Sequence, residues 1–261
     1  MEPPFRISLA CWSMHRMFFA GEVSQLGMVD LCAELGIDRL ELVNTLFPSP
    51  VYTYLKQLRR RAADQGVDLT LIMCDAEGNM GAEAGSRRLH AARNHHKWVD
   101  IAAELGCRSI RANPGGEAAD RATLERNAES FSALLEYAAL AGVDVLVENH
   151  FGPSADAAWL ARLIEAVAHP RFGALPDFGG SPDDPYGAVR TLIPYARGVS
   201  AKCYDFDERG EETTIDFARM LRIVRDAGFH GDIGIEFEGE RLSEREGIIA
   251  CKRLLERLRD A

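Results

Sequence analysis

The sequence has no closely spaced pair of cysteines. Its six cysteines, Cys11, Cys32, Cys74, Cys107, Cys203 and Cys251, stand far apart. That spacing offers neither a CxxC zinc or redox motif nor a disulfide framework. No GxGxxG turn opens a helix, which weakens the case for a dinucleotide-binding sheet. No apolar run reaches the roughly 20 residues that cross a membrane. The first residues, MEPPFRISLA, lack a basic stretch followed by a long apolar run. No signal peptide is expected, and the compartment reads as cytoplasmic. Cations are also short, with 30 Lys and Arg against 40 Asp and Glu and a net charge of -10. Nucleic-acid binding rests on clustered positive charge, so this balance argues against such a partner.

What is present fits one soluble globular domain over residues 1–261, with 47% hydrophobic and 27% charged residues. One junction recurs along it: AELGI, ADQGV, AELGC, LAGV and DAGF. Each reads as a helix end, a glycine suited to the left-handed conformation, and an apolar residue. An apolar strand follows each. The predicted strands are 7–12, 39–43, 68–74, 108–113, 144–149, 172–178, 198–204 and 232–237. Helical periodicity covers 23–35, 87–105, 124–141, 154–168, 214–227 and 242–259. Eight short buried strands alternating with helices predict an α/β fold, a closed (β/α)8 TIM barrel, in preference to an open doubly wound sheet. His95 and His96 fall inside the long helix pattern and read as structural, and Trp98 and Trp159 read as core.

In such a barrel the reactive groups sit at the carboxyl ends of the strands. Those ends supply Trp12 and His15, Glu41 and Asn44, Asp75 and Glu77, Arg111 and Asn113, Glu148 and His150, Asp177, Ser200 and Lys202, and Glu236 and Glu238. A lone Glu at a strand end is usually a salt-bridge or cap partner. Glu148, Asp177 and Glu236 each follow an apolar run on a different strand, and alternation along a strand turns such residues to one face. Pointing inward together, they require protons or a cation. Oxygen ligands favour Mg²⁺ or Mn²⁺, and an added imidazole widens the choice to Co²⁺ or Zn²⁺.

These residues resemble those of the xylose isomerase-like TIM-barrel superfamily of sugar isomerases and epimerases. The resemblance lies in ELVN, LVENH, LPDFGG, AKCYDFD and IGIEFEG, in that order, over nearly the whole chain. It implies a divalent metal (Mn²⁺, Mg²⁺ or Co²⁺) held by Glu148, Asp177 and Glu236. It implies proton transfer beside a carbonyl through an enediolate, with Glu148 and Glu236 as the proton carriers. Lys202 would stabilise oxyanion charge, while Trp12, Glu41, Arg111, Asn113 and His150 would orient a sugar or polyol substrate. The resemblance also allows a homo-oligomer paired through outer helices. One departure stands out: where members often carry HxKD on strand seven, this chain reads SAKC, with Ser200 in place of the histidine. His150 is the candidate replacement. The alternatives are a metal-free lyase or dehydratase using Lys202, through a Schiff base or otherwise, a non-catalytic sugar-binding barrel, and a DNA-repair nuclease. The nuclease is disfavoured by the few histidines at the mouth and the acidic charge.

Overall fold

The computed structural model describes residues 3–259. Eight parallel strands run in the order β6-β5-β4-β3-β2-β1-β8-β7. They are β1 (Arg6–Ala10), β2 (Arg39–Val43), β3 (Asp68–Cys74), β4 (Ser109–Ala112), β5 (Asp144–Glu148), β6 (Phe172–Leu175), β7 (Val199–Cys203) and β8 (Asp232–Phe237). The main helices are α1 (His15–Phe19), α2 (Gln25–Glu34), α3 (Tyr52–Gln65), α4 (Gly85–Asn94), α5 (His96–Leu105), α6 (Arg121–Ala141), α7 (Ala157–Val167), α8 (Pro185–Leu192), α9 (Phe217–Asp226) and α10 (Glu244–Arg259). The sheet closes between β6 and β7 through parallel bridges at Ala174–Ala196 and Asp177–Ser200. This is the expected (β/α)8 TIM barrel.

The local rules read from the sequence operate as expected. All five junction glycines, Gly36, Gly66, Gly106, Gly142 and Gly228, take φ between 66° and 83°. Helix starts are fixed by acidic caps. Asp120, Asp156 and Asp216 accept the backbone N–H of Thr123, Trp159 and Arg219. Each cap satisfies a donor the helix cannot. Between sheet and helices lies the apolar core, where Trp159 and Trp98 are buried as anticipated.

Most boundaries differ from the sequence pattern by one to three residues, and α1, α3 and α8 lie outside the expected helices; two differences matter most. The helix expected over 87–105 is two helices, α4 and α5, divided at His95. The His95 ring stays buried, with Nδ1 2.9 Å from the Ala91 carbonyl. His96 stacks on Tyr137 with ring centroids 3.8 Å apart. Both are packing residues, as read. The first strand stops at Ala10 and a single helical turn follows over Cys11–Met14. Trp12 therefore leaves the strand and lies on that turn.

Alternation along β8 organises the inside of the barrel. Asp232 lines a cavity of about 120 Å³ at the amino-terminal floor. A Cβ at Gly234 would lie 2.6 Å from both carboxylate oxygens of Glu41. Two residues further, about 6.6 Å along the strand, Glu236 reaches the mouth. The missing side chain at Gly234 thus makes room for a buried acid midway up the barrel.

Candidate active site at the barrel mouth

Glu148, Asp177 and Glu236 each offer an oxygen within 4.8 Å of the others, and all three are buried. They come from the ends of β5 and β8 and from the residues just after β6. Each carboxylate is fixed by a different device. Arg111, from β4, places Nε 2.9 Å from Glu148 Oε2 and Nη1 2.7 Å from Asp75 Oδ1. Asp177 Oδ1 accepts the Gly179 N–H at 2.8 Å. Ser200 Oγ donates to Glu236 Oε2 at 2.5 Å. The Lys202 ammonium lies 3.1 Å from Asp177 Oδ2, 3.9 Å from Glu236 Oε1 and 3.6 Å from Glu238 Oε1.

A second tier of positioning comes from two asparagines, Asn149 and Asn44. Asn149 is fully buried. Its Nδ2 donates to the Asp177 carbonyl at 2.9 Å, and its Oδ1 accepts the Asp177 N–H at 2.8 Å. The side chain mimics a neighbouring strand and pins the backbone that carries Asp177. Asn44 repeats the device on Asp75, donating at 2.8 Å and accepting at 2.9 Å. In sequence, the only signal is an Asn ending each strand, in ELVN and VLVEN. Asn149→Ala is expected to cost about 1–3 kcal/mol, read as a lower urea midpoint. Asn149→Asp, which keeps one acceptor and adds charge beside Asp177, should not restore it.

Electrostatically the site is strained toward positive guests. Burial pushes Asp177 up to about 7, with Lys202 opposing and Glu236 assisting. Burial also holds Glu148 well above the usual carboxylate range, against the pull of Arg111. Asp75 is the contrast: burial would raise it, but Arg111 and Asn113 hold it low. Fully ionised, five carboxylates (Asp75, Glu148, Asp177, Glu236, Glu238) would face two cations, Arg111 and Lys202, leaving -3. Glu148 Oε2 and Asp177 Oδ2 are buried with no hydrogen bond. Arg111 and Lys202 stand beside them as ion pairs, at 2.9 and 3.1 Å. Converging buried carboxylate oxygens and a charge deficit at one spot are what a divalent cation with oxygen ligands would satisfy.

The other candidate residues are distributed as follows. Asn113 donates to Asp75 Oδ1 at 2.8 Å. Trp12 stacks on His15 with centroids 4.7 Å apart, so one of its faces is already covered. His150 is half-buried, and its Nδ1 is buried without a partner. Burial, with Lys202 and Arg111, lowers it to about 4, so the ring is neutral at physiological pH. It lies outside the group whose ligand atoms converge within 4.8 Å. Among the described residues, only Glu148, Asp177 and Glu236 form a potential metal-holding group. For Lys202, burial favours loss of the proton, but Glu236, Asp177 and Glu238 outweigh it and raise the pKa above the ordinary lysine range. An ion-paired ammonium is not the free amine that Schiff-base chemistry needs.

Glu41 lies below this group. It is 3% exposed, accepts the Ser8 hydroxyl at 2.5 Å, and lines the floor cavity with Arg108, Asp144, Arg197 and Asp232. Burial, opposed by the Ser8 bond, pushes its pKa from 4.5 to about 8. The protonated form is therefore the native one. Its contribution to stability is complete below about pH 4.5 and is lost as pH rises through about 8. Glu41→Gln cannot ionise. Its urea midpoint should gain on the wild type between those limits, by up to about 1.4 kcal/mol per pH unit. Parallel pH profiles would contradict a buried neutral Glu41.

The profile of the family described as xylose isomerase-like TIM barrel matches residues 29–258. No curated protein matches the chain. Among solved structures, a D-tagatose 3-epimerase-like protein superposes with a TM-score of 0.78 at 18% identity, over 98% of this chain and 99% of that one. An L-ribulose 3-epimerase gives 0.81 at 16%, over 98% and 95%. A xylose isomerase-like TIM barrel protein from Mycobacterium smegmatis, in complex with magnesium, gives 0.73 at 17%, over 100% and 98%. At these identities the likeness to solved structures is one of fold. The family profile, spanning most of the chain, carries the assignment: this protein belongs to the xylose isomerase-like TIM barrel family.

Proposed function

We propose that the protein is a sugar isomerase or epimerase that moves a proton next to a carbonyl, with a divalent metal of the Mg²⁺ or Mn²⁺ type at the mouth. The observation that carries this reading is the convergence of Glu148, Asp177 and Glu236 within 4.8 Å, with Glu148 Oε2 and Asp177 Oδ2 buried and held by ion pairs to Arg111 and Lys202. The family and the epimerases among its structural relatives support it.

A divalent ion held by Glu148, Asp177 and Glu236 would polarise a substrate carbonyl and make the adjacent C–H acidic. The chain's own residues do the rest. Glu148 and Glu236 stand on separate strands. One takes the α-proton, giving an enediolate, and the other returns a proton at the neighbouring carbon or on the opposite face. Ser200 fixes one oxygen of Glu236 and so orients the other toward the centre. Lys202 supplies positive charge for the developing oxyanion. The neutral His150 ring, with a free Nδ1, is available to a substrate hydroxyl, as is Asn113 on the same rim. With Ser200 in place of an imidazole, the protein ligands are all oxygen, which favours hard cations over Zn²⁺.

The test is exchange of solvent deuterium into a panel of unphosphorylated ketoses, followed by NMR in the presence of Mn²⁺. Incorporation next to the carbonyl is expected for at least one sugar. A sugar that binds with no incorporation would mark a binding barrel rather than an enzyme.

A further inference from the structure

The position of Lys202 bears on how the metal would enter. Asp177 and Glu236 each have one oxygen committed to the protein, Oδ1 to the Gly179 N–H and Oε2 to the Ser200 hydroxyl. Their other oxygens, Oδ2 and Oε1, face the Lys202 ammonium at 3.1 and 3.9 Å. One of these, Asp177 Oδ2, has no hydrogen bond. The atom best placed to receive a cation therefore already has one beside it. The ammonium also has another partner: Glu238 Oε1 lies 3.6 Å away, on a side chain 29% exposed. Glu236 and Glu238 are two residues apart in sequence, so the inner and outer partners of Lys202 are neighbours.

Resting on the metal reading of the mouth, we propose that Lys202 is a displaceable counter-ion. Its ammonium balances Asp177 and Glu236 when no divalent ion is bound, and withdraws toward Glu238 when one enters. An oxygen cannot serve both cations fully. Mg²⁺ or Mn²⁺ would sit about 2.0–2.2 Å from its oxygens, and an ammonium held against the same oxygens would repel it strongly at such range. Glu238 thus sets metal affinity without being a ligand: it provides the place to which the ammonium retreats.

The consequence can be measured without turnover. Mn²⁺ titrations by calorimetry are run on the wild type, Lys202→Met and Glu238→Gln, with melting curves taken for each with and without Mn²⁺. Lys202→Met is expected to bind Mn²⁺ at least tenfold more tightly than the wild type. Its metal-free form should melt lower, because three acids lose a counter-ion, and Mn²⁺ should raise its melting temperature by more. Glu238→Gln should bind Mn²⁺ several-fold more weakly while melting close to the wild type. If Lys202→Met binds no more tightly than a wild type that does bind, or if Glu238→Gln leaves affinity unchanged, the counter-ion role is overturned and the metal site stands. If none of the proteins binds Mn²⁺, the metal reading fails, and this inference fails with it.

Discussion

Glu148→Gln is expected to reduce deuterium exchange into a responsive ketose by about 10²–10⁴-fold, and Glu236→Gln by a similar factor. Glutamine matches glutamate in size, so the loss would report the missing proton carrier rather than a hole in the packing. In Glu148→Gln, Arg111 keeps its 2.7 Å bond to Asp75 and is not left as an isolated buried charge. In Glu236→Gln, the amide oxygen can still accept from Ser200. Burial already works against an ionised Glu148, so its neutral replacement should melt within a few degrees of the wild type at neutral pH. A variant that keeps most of its exchange rate would remove that glutamate from the chemistry. Two variants of unequal defect, compared on exchange at each of the two carbons, would identify which glutamate withdraws the proton.

Asp177→Asn is expected to weaken Mn²⁺ binding by at least about 100-fold, a larger loss than is typical when only an outer partner of a ligand is changed. Asn149 grips the backbone of Asp177, through its N–H and carbonyl, and not its carboxylate. The main chain should therefore stay in place when the side chain loses its charge, and the change isolates one ligand. Chelation of the wild type should bring exchange down to the level of Asp177→Asn, and Mn²⁺ should restore the wild type at concentrations where the variant stays inactive. Equal restoration of both would mean that Asp177 holds no metal.

The fold was legible because its signals are local and repeated. Gly36, Gly66, Gly106, Gly142 and Gly228 each mark a helix end by the same conformational need, and apolar runs of strand length follow them. The three central carboxylates were legible for a similar reason: each stands at or just past the carboxyl end of a buried strand in a fold that builds sites there. What stayed hidden depends on register and on contacts between strands. Glu41 looked like a strand-end residue, yet it pairs across to Ser8 inside the barrel, where the β2–β3 register shifts beside it, between Leu40 and Glu41. The ion pairs of Arg111 with Glu148 and Asp75 are of that kind. No spacing rule links residues 37 apart on neighbouring strands. Asn149 and Asn44 gave no signal beyond their position, because an asparagine that mimics a strand looks like any loop asparagine.

The account rests on a single small volume at the barrel mouth, and anomalous diffraction from crystals soaked in Mn²⁺ tests it most directly. The prediction is one strong peak within about 2.0–2.3 Å of an oxygen from each of Glu148, Asp177 and Glu236, with the Lys202 ammonium turned toward Glu238. A map with no peak between those carboxylates at saturating Mn²⁺, or with the peak on other residues, would contradict it.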